Sequence, residues 1–233
     1  MMLSLDSVHS YYGRSHILQG VSLEVAQGET VTLLGRNGAG KTTTLRSIMG
    51  LTPARRGQIR FAGADITRAP THRIAAQGLA FVPSGRRIFS ELSVRQNLQL
   101  YLREPRSADG SWDIDRVYGL FPKLAELDER KAGFLSGGEQ QMLKLGRALV
   151  ANPRMLLLDE LTEGLAPAIV DDLADWLRLL KHEGFSMLVC EQNARFALEL
   201  ADRGYIIEKG RVRHEGTAAE LSGSNEIMQY LGV

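Results

Sequence analysis

Gly35-Arg36-Asn37-Gly38-Ala39-Gly40-Lys41-Thr42 is the stretch from which the rest of this chain is read. An apolar run, Thr30 to Leu34, precedes it and reads as a strand, and the residues after Lys41 read as a helix. In that setting the stretch is a phosphate-binding loop rather than an ordinary glycine-rich turn. Its glycines let the backbone curl so that successive N–H groups, on to Thr43, point at phosphates. Lys41 supplies a cation, and the Thr42 hydroxyl is placed to hold Mg²⁺. The helix that starts near Gly40 adds its positive end to the same site. The expectation is a nucleoside triphosphate site, with ATP and GTP not distinguished.

The 233 residues suffice for one α/β domain and can hold two compact subdomains. A net charge of +1 gives no electrostatic reason to expect a nucleic-acid partner. The single cysteine, Cys190, sits in an apolar run and reads as a buried thiol, which excludes a disulfide scaffold and fits a reducing cytosol. No apolar stretch approaches the roughly 20 residues that span a bilayer, and the N-terminus lacks a signal-peptide layout. Work at a membrane would therefore need partners.

Short strands are expected over residues 1–8 and 21–25, around a turn containing Tyr11, Tyr12 and Gly13. The helix after Lys41 carries Leu45, Ile48 and Met49 and ends at Gly50. Further strands are read over residues 57–62, 79–82, 155–158 and 186–190, with an amphipathic helix over 169–182. Strand, helix, strand at that spacing implies a parallel crossover. Residues 93–150 read as mostly helical, with a surface connection over 103–115.

A phosphate loop alone allows a kinase, a GTPase or a motor. Leu156-Leu157-Leu158-Asp159-Glu160 adds two adjacent carboxylates at the end of a buried strand, where alternation sends their side chains in different directions. Asp159 is then positioned to bind Mg²⁺ through water, and Glu160 to polarise the water that attacks the γ-phosphorus. The plainer reading is a pair of solvated carboxylates closing a strand. Leu135-Ser136-Gly137-Gly138-Glu139-Gln140-Gln141 opens a helix of about 15 residues, or roughly 22 Å. Ser136, Gly137 and Gly138 expose a hydroxyl and N–H groups at its positive end, a second phosphate-binding surface best used on the nucleotide of another protomer. Read plainly, it is a helix cap.

These three motifs, in this order, resemble the ATP-binding subunits of ABC transporters over essentially the whole chain. Val82-Pro83-Ser84-Gly85-Arg86-Arg87-Ile88-Phe89, Glu163-Gly164-Leu165-Ala166-Pro167, Glu191-Gln192-Asn193, Ala201-Asp202-Arg203-Gly204-Tyr205 and the terminal Tyr230-Leu231-Gly232 are similar to the smaller ATP-binding subunit of the branched-chain amino acid uptake group. The resemblance implies an α/β P-loop NTPase fold: a RecA-like parallel-sheet core over residues 1–83 and 151–233, an N-terminal antiparallel β portion, and an inserted helical subdomain over about 84–150. It implies ATP and Mg²⁺ as cofactors and ATP-driven head-to-tail dimerisation. Its implied partners are a second ATP-binding subunit, two membrane permease subunits and, indirectly, an extracytoplasmic substrate-binding protein. The implied location is the cytoplasmic face of the plasma membrane.

Within that resemblance Tyr12 matches the aromatic that stacks on adenine, although a Tyr beside Tyr11 also suits core packing. Gln192 stands where most members have a histidine that senses the γ-phosphate. A carboxamide can donate a hydrogen bond there but carries no proton at neutral pH. Ser84 stands where a longer Gln or Glu would reach the metal, Leu161 where a proline follows the catalytic Glu, and Ala166 where many members have Asp. The first two departures motivate an alternative function, a nucleotide-dependent binding module with weak hydrolysis. Residues 84–89 are the expected permease surface, with Arg86 and Arg87 equally readable as solvated charges.

Overall fold

The computed structural model describes residues 1–85, 88–104 and 111–224. Arg86, Arg87 and the terminal Tyr230-Leu231-Gly232 lie outside the described residues. The first two strands, β1 (Leu3–Tyr12) and β2 (Ser15–Val25), form an antiparallel hairpin. β3 (Thr30–Leu34) leads through the phosphate loop into α1 (Lys41–Ile48). β4 (Arg56–Phe61), β5 (Ala64–Asp65), α2 (Thr71–Ala76) and β6 (Leu79–Val82) follow. Four helices come next: α3 (Val94–Gln99), α4 (Ile114–Leu120), α5 (Pro122–Glu126) and α6 (Gly137–Leu149). The chain closes with β7 (Met155–Asp159), α7 (Pro167–His182), β8 (Ser186–Glu191), α8 (Ala194–Leu200), β9 (Arg203–Glu208), β10 (Arg211–Thr217) and α9 (Ala218–Ser222).

The strands build two sheets, a four-stranded one in the order β2-β1-β4-β5 and a six-stranded one in the order β10-β9-β3-β8-β7-β6. Pairing in the larger sheet is parallel from β9 to β6, and β10 closes one edge antiparallel. β3, β7 and β8 are buried at every position, as strands covered on both faces must be, which is why they read as unbroken apolar runs. Strand alternation divides their side chains between two cores. Leu157 and Leu188 face the core shared with α1 and the smaller sheet, whereas Leu156, Leu158, Met187 and Val189 face the core under α6 and α7. The helices α3 to α6 all fall between β6 and β7, which are neighbours in the sheet.

The N-terminal hairpin departs from the expectation. Tyr11 and Tyr12 lie inside β1, and the turn is confined to Gly13 and Arg14. Register shifts beside Val8, with Ser7 at a φ of 48°, break the period-two pattern that would have marked the full strands. The expected surface connection over 103–115 also fails at its far end. Trp112 is buried against Phe185, its backbone N–H donates to Asn152 at 2.7 Å, and Asp113 caps α4. Among the described residues no helix is long and apolar enough to cross a membrane.

Candidate nucleotide site

The loop between β3 and α1 is fixed by close backbone approach. A Cβ on Gly35 would lie 2.4 Å from the Ile207 carbonyl of β9, so no larger residue fits there. Gly40 caps α1 at a φ of 120°, which an L side chain rarely adopts. Arg36, Asn37 and Gly38 form the exposed crest, while Ala39, Lys41 and Thr43 are buried. The Lys41 ammonium folds back on its own loop, donating to the Gly35 carbonyl at 2.7 Å and the Arg36 carbonyl at 3.3 Å. It also pairs with Glu160 Oε1 at 2.9 Å. Lys41, from the loop, and Glu160, from the end of β7, are thereby brought together.

Asp159 sits one residue earlier, fully buried. Its Oδ1 accepts from the Thr42 hydroxyl at 3.1 Å, and its Oδ2 has no hydrogen-bond partner. Burial pushes this carboxyl up from its ordinary value, and the Thr42 hydroxyl pulls the other way. β6 lies beside β7 with Val82 opposite Leu158, which sets Ser84 next to Asp159. The Ser84 backbone N–H favours the ionised carboxylate without satisfying Oδ2.

Glu160 has a φ of 46°, a strained value for a non-glycine residue. Its neighbours hold it there. Its N–H donates to the Cys190 carbonyl at 2.8 Å, and the next carbonyl, of Leu161, accepts from Gln141 of α6 at 3.1 Å. Leu161, in place of the usual proline, buries its side chain in the α6–α7 core. Thr162 is tied to Glu191 through its N–H (3.0 Å) and hydroxyl (2.9 Å). The sequence named Glu191 only as part of a motif. Its clasp on Thr162 links the end of β8 to the loop after Glu160, and nothing local in the sequence announces it. Gln192, the next residue, is exposed, and Cys190 is a buried thiol whose pKa burial pushes well up.

Tyr12 is 46% exposed, which excludes core packing. It borders a cavity of about 210 Å³ together with Gly38, Gly40, Lys41, Thr42, Thr43 and Glu160. Ser136, Gly137 and Gly138 do not line it. Ser136 instead caps α6: its hydroxyl accepts from the Glu139 N–H at 3.4 Å, and Glu139 Oε2 accepts from the Ser136 N–H at 2.7 Å. A larger cavity, about 540 Å³, lies away from the phosphate loop, between α6 and the segment around β6.

Residues 18–163 match the family model described as ABC transporter. The chain belongs to the ABC transporter ATP-binding family. It is 45% identical over 99% of its length to all of a high-affinity branched-chain amino acid transport ATP-binding protein, BraG, of Pseudomonas aeruginosa. It is 36% identical to LivF of Archaeoglobus fulgidus, a probable branched-chain amino acid transport ATP-binding protein, over 94% of each chain. A lipopolysaccharide export ATP-binding protein, LptB of Escherichia coli, is 35% identical over 96% of this chain and 93% of its own. Two solved ATP-binding cassettes of ABC transporters share the fold. One, in its ADP conformation, has a TM-score of 0.84 at 26% identity over 98% and 97% of the two chains. The other, nucleotide-free, has a TM-score of 0.83 at 27% identity over 100% and 95%. This ABC subunit binds and hydrolyses ATP, and subunits of its family act as dimers with membrane permease partners.

Proposed function

We propose that this chain powers an importer of branched-chain or related amino acids from the cytoplasmic face of the membrane. The single observation that carries the assignment is the 45% identity to BraG over 99% of the chain. LptB, at 35%, serves a different cargo with the same kind of subunit, so cargo is not set by the nucleotide site. The transporter would add a second ATP-binding subunit, two permease chains and, indirectly, an extracytoplasmic substrate-binding protein.

The residues at the site fit Mg²⁺. The buried Asp159 Oδ2 lacks a partner, and the Thr42 hydroxyl lies beside Oδ1. Mg²⁺ needs only one or two carboxylates besides phosphate oxygens and water. When bound, it would neutralise charge on the β- and γ-phosphates. Thr42 and Asp159 would hold it, with Ser84 beside Asp159 at the end of β6.

Lys41 leaves Glu160 and the loop carbonyls for the phosphates, Gly35 to Thr43 present N–H groups to them, and Tyr12 stacks on the base. Freed, Glu160 accepts a proton from water as its oxygen attacks the γ-phosphorus. The bond from that phosphorus to the bridging oxygen breaks, and ADP and phosphate leave. Gln192 donates to the γ-phosphate. The Ser136–Gly138 turn of the partner protomer closes the site from outside, so ATP joins two chains and hydrolysis parts them. Helices α3 to α6 form a subdomain over about residues 84–150, and the cavity beside them receives the permease.

The test is uptake of radiolabelled leucine by cells lacking this chain. The parent sequence should restore it and Glu160→Gln should not. Undiminished leucine uptake in the deleted cells would overturn the cargo assignment.

A further inference from the structure

Once Lys41 turns to the triphosphate, as the shared site proposed above requires, Glu160 loses the ion pair that fixes its side chain. What then aims the carboxylate is the backbone that carries it, strained at a φ of 46°. That backbone is tied to two elements. The Glu160 N–H donates to the Cys190 carbonyl at 2.8 Å, and Thr162 is clasped by Glu191, so both of these ties run to β8. Since β8 pairs with β7 as far as Asp159 and Cys190, they belong to the sheet itself. The other tie comes from a helix: Gln141 Nε2 of α6 donates to the Leu161 carbonyl at 3.1 Å. Leu161, in place of the usual proline, lacks the ring that would fix its φ, which leaves more of the restraint to this bond.

Gln141 is 3% exposed. An amide taken out of water costs free energy unless it is hydrogen-bonded, and a Met of similar volume would fill the space without that cost. The chemistry of the position therefore points to the bond that the amide makes. Gln141 also lies one turn beyond the Ser136–Gly138 turn, on a helix whose start is pressed against α7: a Cβ on Gly138 would lie 2.9 Å from Ile169 Cδ1. One helix thus presents its first residues to the proposed partner and Gln141 to the loop after its own Glu160.

We propose that Gln141 is a positioning residue for Glu160 of its own chain: its amide holds the Leu161 carbonyl and keeps the Glu160 carboxylate aimed at the attacking water after Lys41 has left it. It acts through the backbone, not on the reactants.

The test uses dimers of two differently tagged full-length chains, formed with ATP in the absence of Mg²⁺ and purified through both tags in succession. Adding Mg²⁺ starts a single turnover, read as phosphate release. Parent paired with Glu160→Gln is the control, and should release about half the parent's phosphate at the parent's rate, because one competent Glu160 remains. Gln141→Met paired with Glu160→Gln leaves the competent Glu160 in the chain that lacks the tie, facing an intact Ser136–Gly138 turn. Its rate should fall about tenfold below the control. Gln141→Met and Glu160→Gln combined in one chain and paired with parent leave the competent Glu160 in an intact chain, facing the turn of the altered helix. That dimer should match the control. A merely structural role gives the reverse pattern, because a disturbed α6 displaces the turn that it offers to the partner's site. The reverse pattern, or equal rates in the two test dimers, refutes the role of Gln141 and leaves the shared site standing. Gln141→Leu, carried alongside in case the Met chain does not fold, should behave as Gln141→Met does. If parent and Glu160→Gln form no dimer with ATP, the shared site is wrong and the assignment of Gln141 falls with it.

Discussion

Lys41 is 3% exposed because its ammonium is surrounded by two loop carbonyls and Glu160. A triphosphate has to replace all three contacts, and it can do so because phosphate oxygens make stronger charge-assisted bonds than carbonyls do. Lys41→Ala should therefore weaken ATP binding about a hundredfold or more by calorimetry, and parental affinity would overturn the loop assignment. Glu191 poses a different question. It is 1% exposed, and burial raises its pKa against the opposing pull of its Thr162 bonds. With the folded pKa above the unfolded value, stability is greatest below about pH 4.3 and declines as pH rises through the folded pKa, because ionisation there is penalised. Glu191→Gln keeps the clasp and removes the penalty, since an amide can accept from the Thr162 N–H while the hydroxyl rotates to accept from it. By scanning calorimetry its Tm should exceed the parent's near pH 8, with the gap closing toward about pH 4. Parallel profiles would refute the assignment of the burial penalty to this carboxyl.

At the scale of elements, α6 carries two duties at one end. Ser136 and Glu139 cap it reciprocally, and the same turn is the proposed contact to a partner's nucleotide. Losing the cap alone costs about 1 kcal/mol, so Ser136→Ala should lower the Tm by about 2 to 4 °C in a chain of this size. An unchanged Tm would mean that the long 3.4 Å bond contributes nothing. The elements that the sequence shows plainly are those buried on both faces. β3 and β6 have the limits the sequence implies, and β7 and β8 each extend one residue further, to Asp159 and Glu191. What the sequence conceals is of two kinds. β10 alternates between exposed and half-buried positions, so it carries no apolar run, and bulges interrupt β1. The ties around Glu160 are tertiary: Gln141 reaches Leu161 across 20 residues and Thr162 reaches Glu191 across 29, and no local pattern encodes either.

For the whole molecule, the decisive fact is that the phosphate-loop cavity lacks the Ser136–Gly138 turn among its walls. One chain carries both surfaces and does not close them on each other, as the proposed completion of the site by a second chain requires. This separates binding from turnover in a way that can be measured by size-exclusion chromatography with ATP and Mg²⁺, with phosphate release recorded alongside. Glu160→Gln should bind ATP, cut phosphate release about a hundredfold or more, and elute as a dimer only with ATP. Ser136→Trp added to Glu160→Gln should keep ATP affinity and elute as a monomer, because the indole stands where the partner's phosphates would lie. Ser136→Ala in the same background is the control for the lost cap and should still dimerise. If the Trp variant dimerises with ATP, or hydrolyses as a monomer when Glu160 is restored, each chain completes its own site and the shared arrangement is wrong.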